Sequence, residues 1–292
     1  MLNPYAVVFE VVLAVLFALC LRHALRSGPA RVWQLVAGVV FGVLLETATI
    51  QQLHAYHYWP FLVMLGDVPL MVGVGWGVII YSARLFSDAT SLPEWARPLL
   101  DGLLALNIDL AMDAVAIRLG LWDWGHGFDW QFFGVPYANF WAWFWVVFSF
   151  SVGVRALARP TSWAGRWLGP VGAVLVGMTD LLAMDSLIIS VPPAWYIPTI
   201  FLTIGIALAV VLALRPRLSG RPADPLAFWV PFVFHAYCLG AGLLSLALLR
   251  PPVLLAVSLA MMGLALYLHR GVFDPWVNKA RALTTPSMPP GG

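Results

Sequence analysis

The sequence predicts an all-α fold: a polytopic membrane bundle of about nine transmembrane helices with an internal repeat of helix hairpins. Three observations predict it. Of the 292 residues, 61% are hydrophobic and only 10% charged, with mean hydropathy +0.86, whereas a soluble domain carries about a quarter charged residues. Apolar runs near the ~20 residues that a helix needs to span a bilayer recur nine times. The basic residues between those runs alternate from one side to the other.

The runs fall at 5–22, 32–50, 68–86, 98–119, 138–157, 167–190, 196–214, 228–249 and 251–269. No basic leader precedes the first, which reads as a retained helix and not a cleaved signal. With Arg22, Arg84, Arg118 and Arg155, which lie in the last turn of their runs, assigned to the adjoining segments, the ends and connecting segments carry 0, 3, 0, 2, 1, 3, 0, 3, 1 and 3 Lys plus Arg, so alternate segments hold 14 of the 16. The positive-inside bias then predicts an N-terminus outside and a cytoplasmic C-terminus. Eight or ten helices would break the alternation. One transmembrane domain, 1–275, is expected in the cell (inner) membrane, followed by a polar, Pro-rich tail, 276–292, predicted to be disordered.

Within this frame three acids lie 67 residues apart: Glu46, Asp113 and Asp180. The same shift aligns Val68-Pro69 with Val135-Pro136, Trp76 with Trp143 and Ser82 with Ser149. Residues 32–86 and 98–157 therefore read as copies of one acid-bearing hairpin, and sites commonly form where such copies meet. A third copy, 167–214, rests on Asp180 alone, since no Val-Pro follows it. Counted from Arg31, Arg97 and Arg166 at ~1.5 Å per residue, the three acids sit roughly 21–24 Å from the cytoplasmic side, in the outer half of a core about 30 Å thick. Asp109 lies one turn before Asp113 and shares its face. Asn107, Asp67, Asn139, Asp185 and Glu10 belong to the same half or its rim, which predicts one polar cluster opening outward.

An ionisable residue inside a membrane is a functional hypothesis by default. The plainer reading is interhelical glue worth about 0.6–2 kcal/mol per hydrogen bond. It suits a single acid better than the set. With no Lys or Arg inside the spans to neutralise several carboxyls, some are expected to be protonated, and a protonated carboxylic acid is a proton donor. From Trp122 to Trp145, twelve of 24 residues are aromatic. Part of this is an interfacial belt, but the density also suits the wall of a hydrophobic site, and aromatic faces stabilise cations. Tyr56, His57, Tyr58 and Trp59 are the counterpart in the first copy.

Several chemistries are excluded. Lys279 is the only lysine, so no intramembrane Schiff base forms. The six histidines make no HxxxH or HxxHH box, and His54 and His57 read as interfacial. No metal site or cofactor is expected. Cys20 and Cys238 both lie inside helices and imply no disulfide framework. No long basic run suggests nucleic acid, no glycine loop cradles phosphate, and no DDxxD pair suggests diphosphate chemistry.

Glu46, Tyr56-His57-Tyr58, Gly66-Asp67-Val68-Pro69-Leu70, Trp76, Tyr81, Asp109-Leu110-Ala111-Met112-Asp113, Gly120-Leu121-Trp122-Asp123-Trp124 and Phe133-Gly134-Val135-Pro136-Tyr137-Ala138-Asn139-Phe140 carry a resemblance. Over roughly residues 40–150 the chain resembles the integral-membrane carotenoid biosynthesis proteins that include bisanhydrobacterioruberin hydratase and related carotenoid 1',2'-hydratases. It departs from their pattern at Ala142, Ala114 and Thr47-Ala48-Thr49.

The resemblance implies cofactor-independent addition of water to the terminal double bond of an acyclic carotenoid, with the lipid bilayer and other carotenoid enzymes as partners. An acid protonates the alkene, aromatic faces shield the tertiary cation, and a polar group holds the water that captures it. The catalytic candidates are Asp113 as proton donor, Asp109 and Glu46 in its network, and Asn139 on the water. The substrate-binding candidates are Tyr58, Trp122, Trp124, Trp141, Asp67 and Tyr137. Two alternatives stay open: a carotenoid cyclase that begins with the same protonation, and a proton-coupled transporter of a hydrophobic molecule.

Overall fold

The computed structural model describes residues 2–158, 161–218 and 223–272, and nine long helices follow the nine predicted runs. They are α1 (Pro4–Ser27), α2 (Pro29–Ala48), α3 (Leu70–Asp88), α4 (Arg97–Arg118), α5 (Tyr137–Leu157), α7 (Gly169–Ser190), α8 (Pro193–Ala213), α9 (Pro225–Leu244) and α10 (Pro252–Leu268); a short α6 (Trp163–Trp167) precedes α7. Seven are long and apolar enough to cross a membrane. The apolar α10 is shorter, and α4 carries Asp101, Asp109 and Asp113 on its length. The chain is an all-α, multi-pass membrane protein. The predicted tail, 276–292, lies outside the described residues.

Proline sets the helix starts. It occupies the first turn of α1, α2, α4, α7, α8, α9 and α10 and the N-cap of α3 and α5, positions where its missing N–H costs no helical bond. Glycine sets the closest approach. Gly38 and Gly42 on α2 face Gly73 and Gly77 on α3: a Cβ at Gly42 would lie 2.6 Å from Trp76 Cβ, and one at Gly38 would lie 3.3 Å from Gly77 Cα. Small residues spaced by four on both helices let the backbones meet, the usual way membrane helices associate where water supplies no driving force.

α3 and α4 form the buried centre. α3 packs on α1, α2, α4 and α9, while α4 packs on α3, α5, α8, α9 and α10. α7 closes the bundle against α2 and α5. Outward faces of α7 and α8 present Leu175, Leu187, Leu202 and Leu212, as lipid contact requires.

At the end of the bundle that bears the N-terminus, two loops and the terminus knit together. Asn3 Nδ2 donates to the carbonyls of Leu119 and Gly120 at 2.7 and 3.0 Å. Strand β1 (His57–Tyr58) pairs antiparallel with β4 (Trp122–Asp123), Tyr58 opposite Trp122. The two Val-Pro pairs occupy matching places. β2 (Met64–Leu65) and β3 (Val68–Pro69) pair Leu65 with Val68, and 67 residues on, Phe132 bridges Val135. Both turns use left-handed residues, Gly66 at φ 63° and Gly134 at φ 93°, and each releases the chain into the next helix.

The opposite end differs from expectation. Arg155 is partly buried, donates to Asp88 and Ser87, and pairs with the fully buried Asp101 at 2.9 Å. Arg84 is buried and donates to Gln34. Arginines counted as loop residues in the sequence thus sit within the ends of α3 and α5, because Asp88, Asp101, Ser87 and Gln34 are there to receive them.

Candidate active site

Glu46 is buried in the last turn of α2. Beyond it the helix widens into a π turn, Thr49–Leu53, and stops at His54 with φ 46°, which sends the chain back over its own end. In the extended segment that follows, side chains alternate. Tyr56 and Tyr58 therefore point the same way and both donate to Glu46 Oε2, Tyr58 at 2.7 Å, while His57 between them is exposed. Trp76 Nε1 donates to Oε1 at 2.7 Å. Burial and the neighbouring Glu46 carboxyl push both tyrosine hydroxyls well above their ordinary range, so they keep their protons and serve as donors.

Asp109 and Asp113, one turn apart on α4, share a face as expected. The Val135-Pro136 turn starts α5 so that Asn139 lies in its first turn, against them. Its Nδ2 donates to Asp113 Oδ2 at 2.7 Å and to Asp109 Oδ1 and Oδ2 at 2.9 and 3.2 Å. One amide thus holds the two carboxyls side by side.

Both groups meet at a cavity of about 390 Å³, within the range of small-molecule sites. Glu46, Asp113, Asn139, Tyr58, Trp122, Trp124 and Trp141 line it, and Asp109 lies one layer behind Asn139. Trp124 packs at a tilt against Tyr56 with ring centroids 4.5 Å apart, and Trp76 likewise against Trp143 at 4.4 Å. Thr49 and Ala142, two of the departures from the family pattern, are also on the wall.

Other candidates fall elsewhere. Asp67 is exposed at the β2–β3 turn. Tyr137 is half-buried at the start of α5 with its ring against Phe201, 5.2 Å between centroids. Asp180 turns toward α5 and accepts from Ser149 Oγ at 2.5 Å; it does not line the cavity. Asn107 turns away from the acids to His235 Nε2 at 2.9 Å and the Met261 carbonyl. Glu10 fastens the loop between α2 and α3 by accepting from Leu62 N.

Tyr56, Trp76, Trp143, Tyr196 and Asp185 were missed as site residues and line the cavity. The alternation with Tyr58 signals Tyr56, and the 67-residue shift signals the two tryptophans. For Asp185 depth alone was available.

Among the described residues no cluster of three His, Cys, Asp or Glu side chains could hold a metal. No curated protein and no solved structure matches the chain. A family model described as carotenoid biosynthesis protein matches residues 3–214, which span α1 to α8 and every cavity-lining residue but Phe234. The chain therefore belongs to the carotenoid biosynthesis protein family.

Proposed function

We propose that the protein hydrates the terminal double bond of an acyclic, lycopene-like or bacterioruberin-precursor-like carotenoid, giving a tertiary alcohol without a cofactor. The observation that carries this reading is Asp113 on the cavity wall, joined through Asn139 to Asp109, facing a chamber walled by Tyr58, Trp122, Trp124 and Trp141. Asp113 donates its proton to the alkene carbon, and the π pair forms the new C–H bond. The tertiary cation left behind is held against indole and phenol faces, which stabilise desolvated cations by about 2 kcal/mol or more. Water then forms the C–O bond and releases a proton. Asp109 supplies a second carboxyl beside Asp113, so the pair shares the proton between turnovers.

The repeat belongs to this proposal. Support for it comes from the matching turns before Val68-Pro69 and Val135-Pro136 and from the contact of Trp76 with Trp143. The two hairpins then each contribute an acid to the chamber, Glu46 from one and Asp113 from the other.

The test is expression in a lycopene-producing host with pigments separated by mass. The expected product is heavier than its parent by one water. Asp113→Asn should lower its yield by about 10²–10⁴-fold, the usual worth of a general acid, with the protein still in the membrane. Full conversion by that variant would end the assignment. A cyclase begins with the same step, and the aromatic walls suit it as well; an isomer of unchanged mass would identify it.

A further inference from the structure

The hydratase reading leaves one reactant without a place. Asn139 was the expected holder of water, but its Nδ2 is committed to Asp109 and Asp113, which leaves only the amide oxygen for a water and no group there to take its proton. We propose that the water is held on the opposite wall, by Asp185 of α7 with Trp141 and Tyr196, and that Asp185 takes the proton that water releases.

Four observations converge on this wall. Asp185 lines the cavity, and among the described residues it has no hydrogen-bond or ion-pair partner. Glu46, Asp109, Asp113 and Asp180 all have one. Trp141 clusters with Ile188 of the same stretch of α7, and Met184 of that stretch and Tyr196 of α8 pack against the cluster. The Trp141 indole N–H is buried and unpartnered. A bound water needs two to four polar partners, and this wall offers a carboxylate acceptor, an indole donor and a phenol. A second cavity of about 90 Å³ between α2 and α7 meets the first at Leu45, Thr49, Leu181, Asp185 and Ile189. Thr49 and Ser186 make its lining partly polar, which gives water an approach to Asp185.

The step balances. Asp113 loses its proton to the CH carbon of the terminal double bond, and the dimethyl-substituted carbon beside it becomes the tertiary cation. A lone pair of the water forms the C–O bond, and one water proton passes to the Asp185 carboxylate. That proton returns to Asp113 through solvent, so the net change is alkene plus water to alcohol. The carboxylate also directs the outcome: a cation without a positioned water loses a proton again or is captured by an internal double bond.

This inference rests on the hydratase reading, and one experiment separates the two. Membranes bearing wild type, Asp113→Asn, Asp185→Asn, Asp185→Leu or Asp185→Glu are incubated with an acyclic carotenoid in deuterated buffer. Hydrated product and deuterium in the unhydrated pigment are measured together. Asp185→Asn and Asp185→Leu should lose hydrated product by about 100-fold while deuterium still enters the pigment pool or unchanged-mass isomers appear. Asp185→Glu, which keeps the carboxylate, should retain at least about a tenth of the hydration, and Asp113→Asn should stop deuterium uptake. Wild-type hydration by either Asp185→Asn or Asp185→Leu overturns the inference alone, as does loss of deuterium uptake in both at normal protein levels. Absence of hydrated product from wild type overturns the hydratase reading and this inference with it.

Discussion

Replacing Asn139 by alanine tests whether the acid pair is organised as described. Its amide is a donor to both buried carboxyls, at 2.7 Å to Asp113 and at 2.9 and 3.2 Å to Asp109. A hydrogen bond contributes about 0.5–1.5 kcal/mol to a neutral group and about 1.5–3 to a charged one. With one proton shared by the pair, one bond of each kind is lost, about 2–4 kcal/mol for Asn139→Ala. A double-mutant cycle isolates the pairwise part. In an Asp109→Ala background, Asn139→Ala loses only the bond to Asp113 and should cost about 1–2 kcal/mol less than in wild type. The measurement is equilibrium unfolding of the four proteins in one detergent. Pigment conversion is followed alongside, and should fall about 10–100-fold in Asn139→Ala because a displaced donor loses alignment. Single-mutant costs that add within ~0.5 kcal/mol would show that Asn139 does not hold Asp109.

Three further outcomes are expected. Gly42→Ala places a methyl 2.6 Å from Trp76 Cβ and 2.9 Å from the Gly73 carbonyl and should cost about 1–3 kcal/mol, whereas Gly205→Ala, with open space around it, should cost nothing by the same equilibrium unfolding. Arg155→Met leaves the fully buried Asp101 without its cation, while Asp88 keeps Arg97 at 3.6 Å, and should cost about 3–5 kcal/mol; a loss under ~1 kcal/mol would show that the pair is solvated. Tyr58→Phe removes one donor from Glu46 and should cost about 1–2 kcal/mol. That cost should stay flat with pH. The Tyr58 hydroxyl is pushed well above its ordinary range, so folded and unfolded chains both hold the proton until pH passes the unfolded value near ~10, above which the folded state loses ground. A cost that changes between about pH 6 and 9 would contradict the tyrosine's role as a permanent donor.

The helices were readable because the signals that mark them are local: apolar length, first-turn prolines and alternating arginines each act within a single span. The pairing of Asp109 and Asp113 was readable for the same reason, being one turn on one helix. What escaped depends on contacts between spans. Arg155 looked like a loop residue until α3 and α4 brought Asp88 and Asp101 to it. The spacing rule singled out Asp180, yet the rotation of α7 turns Asp180 to Ser149 and brings Asp185, little more than a turn further on, to the cavity. A shift of five residues moves a side chain well around a helix of 3.6 residues per turn, and only packing decides which face looks inward. Asp67 failed as a site residue because its motif serves the turn: Gly66 takes φ 63° and Asp67 is left at the exposed corner.

The three cavity acids differ in how far their oxygens are already engaged, and that difference divides the labour of the proposed reaction. Glu46 accepts from Tyr56, Tyr58 and Trp76 at once, so moving its oxygens would dismantle the aromatic lid that they hold. Its fixed place suits an anchor, with its charge spread over three donors. Asp113 has Asn139 and the neighbouring carboxyl of Asp109, partners that can follow a proton as it leaves and returns. Asp185 has no such partner and is therefore the carboxylate free to reorganise around an incoming water. Exchanging roles should then be costly in a definite order: Glu46→Gln should lower thermal stability first and conversion second, while Asp113→Asn should lower conversion and leave stability within ~1 kcal/mol, since an amide can still bond Asn139. If Glu46→Gln instead abolished conversion at unchanged stability, the proton donor would be on α2, and the chemistry would belong to the first hairpin.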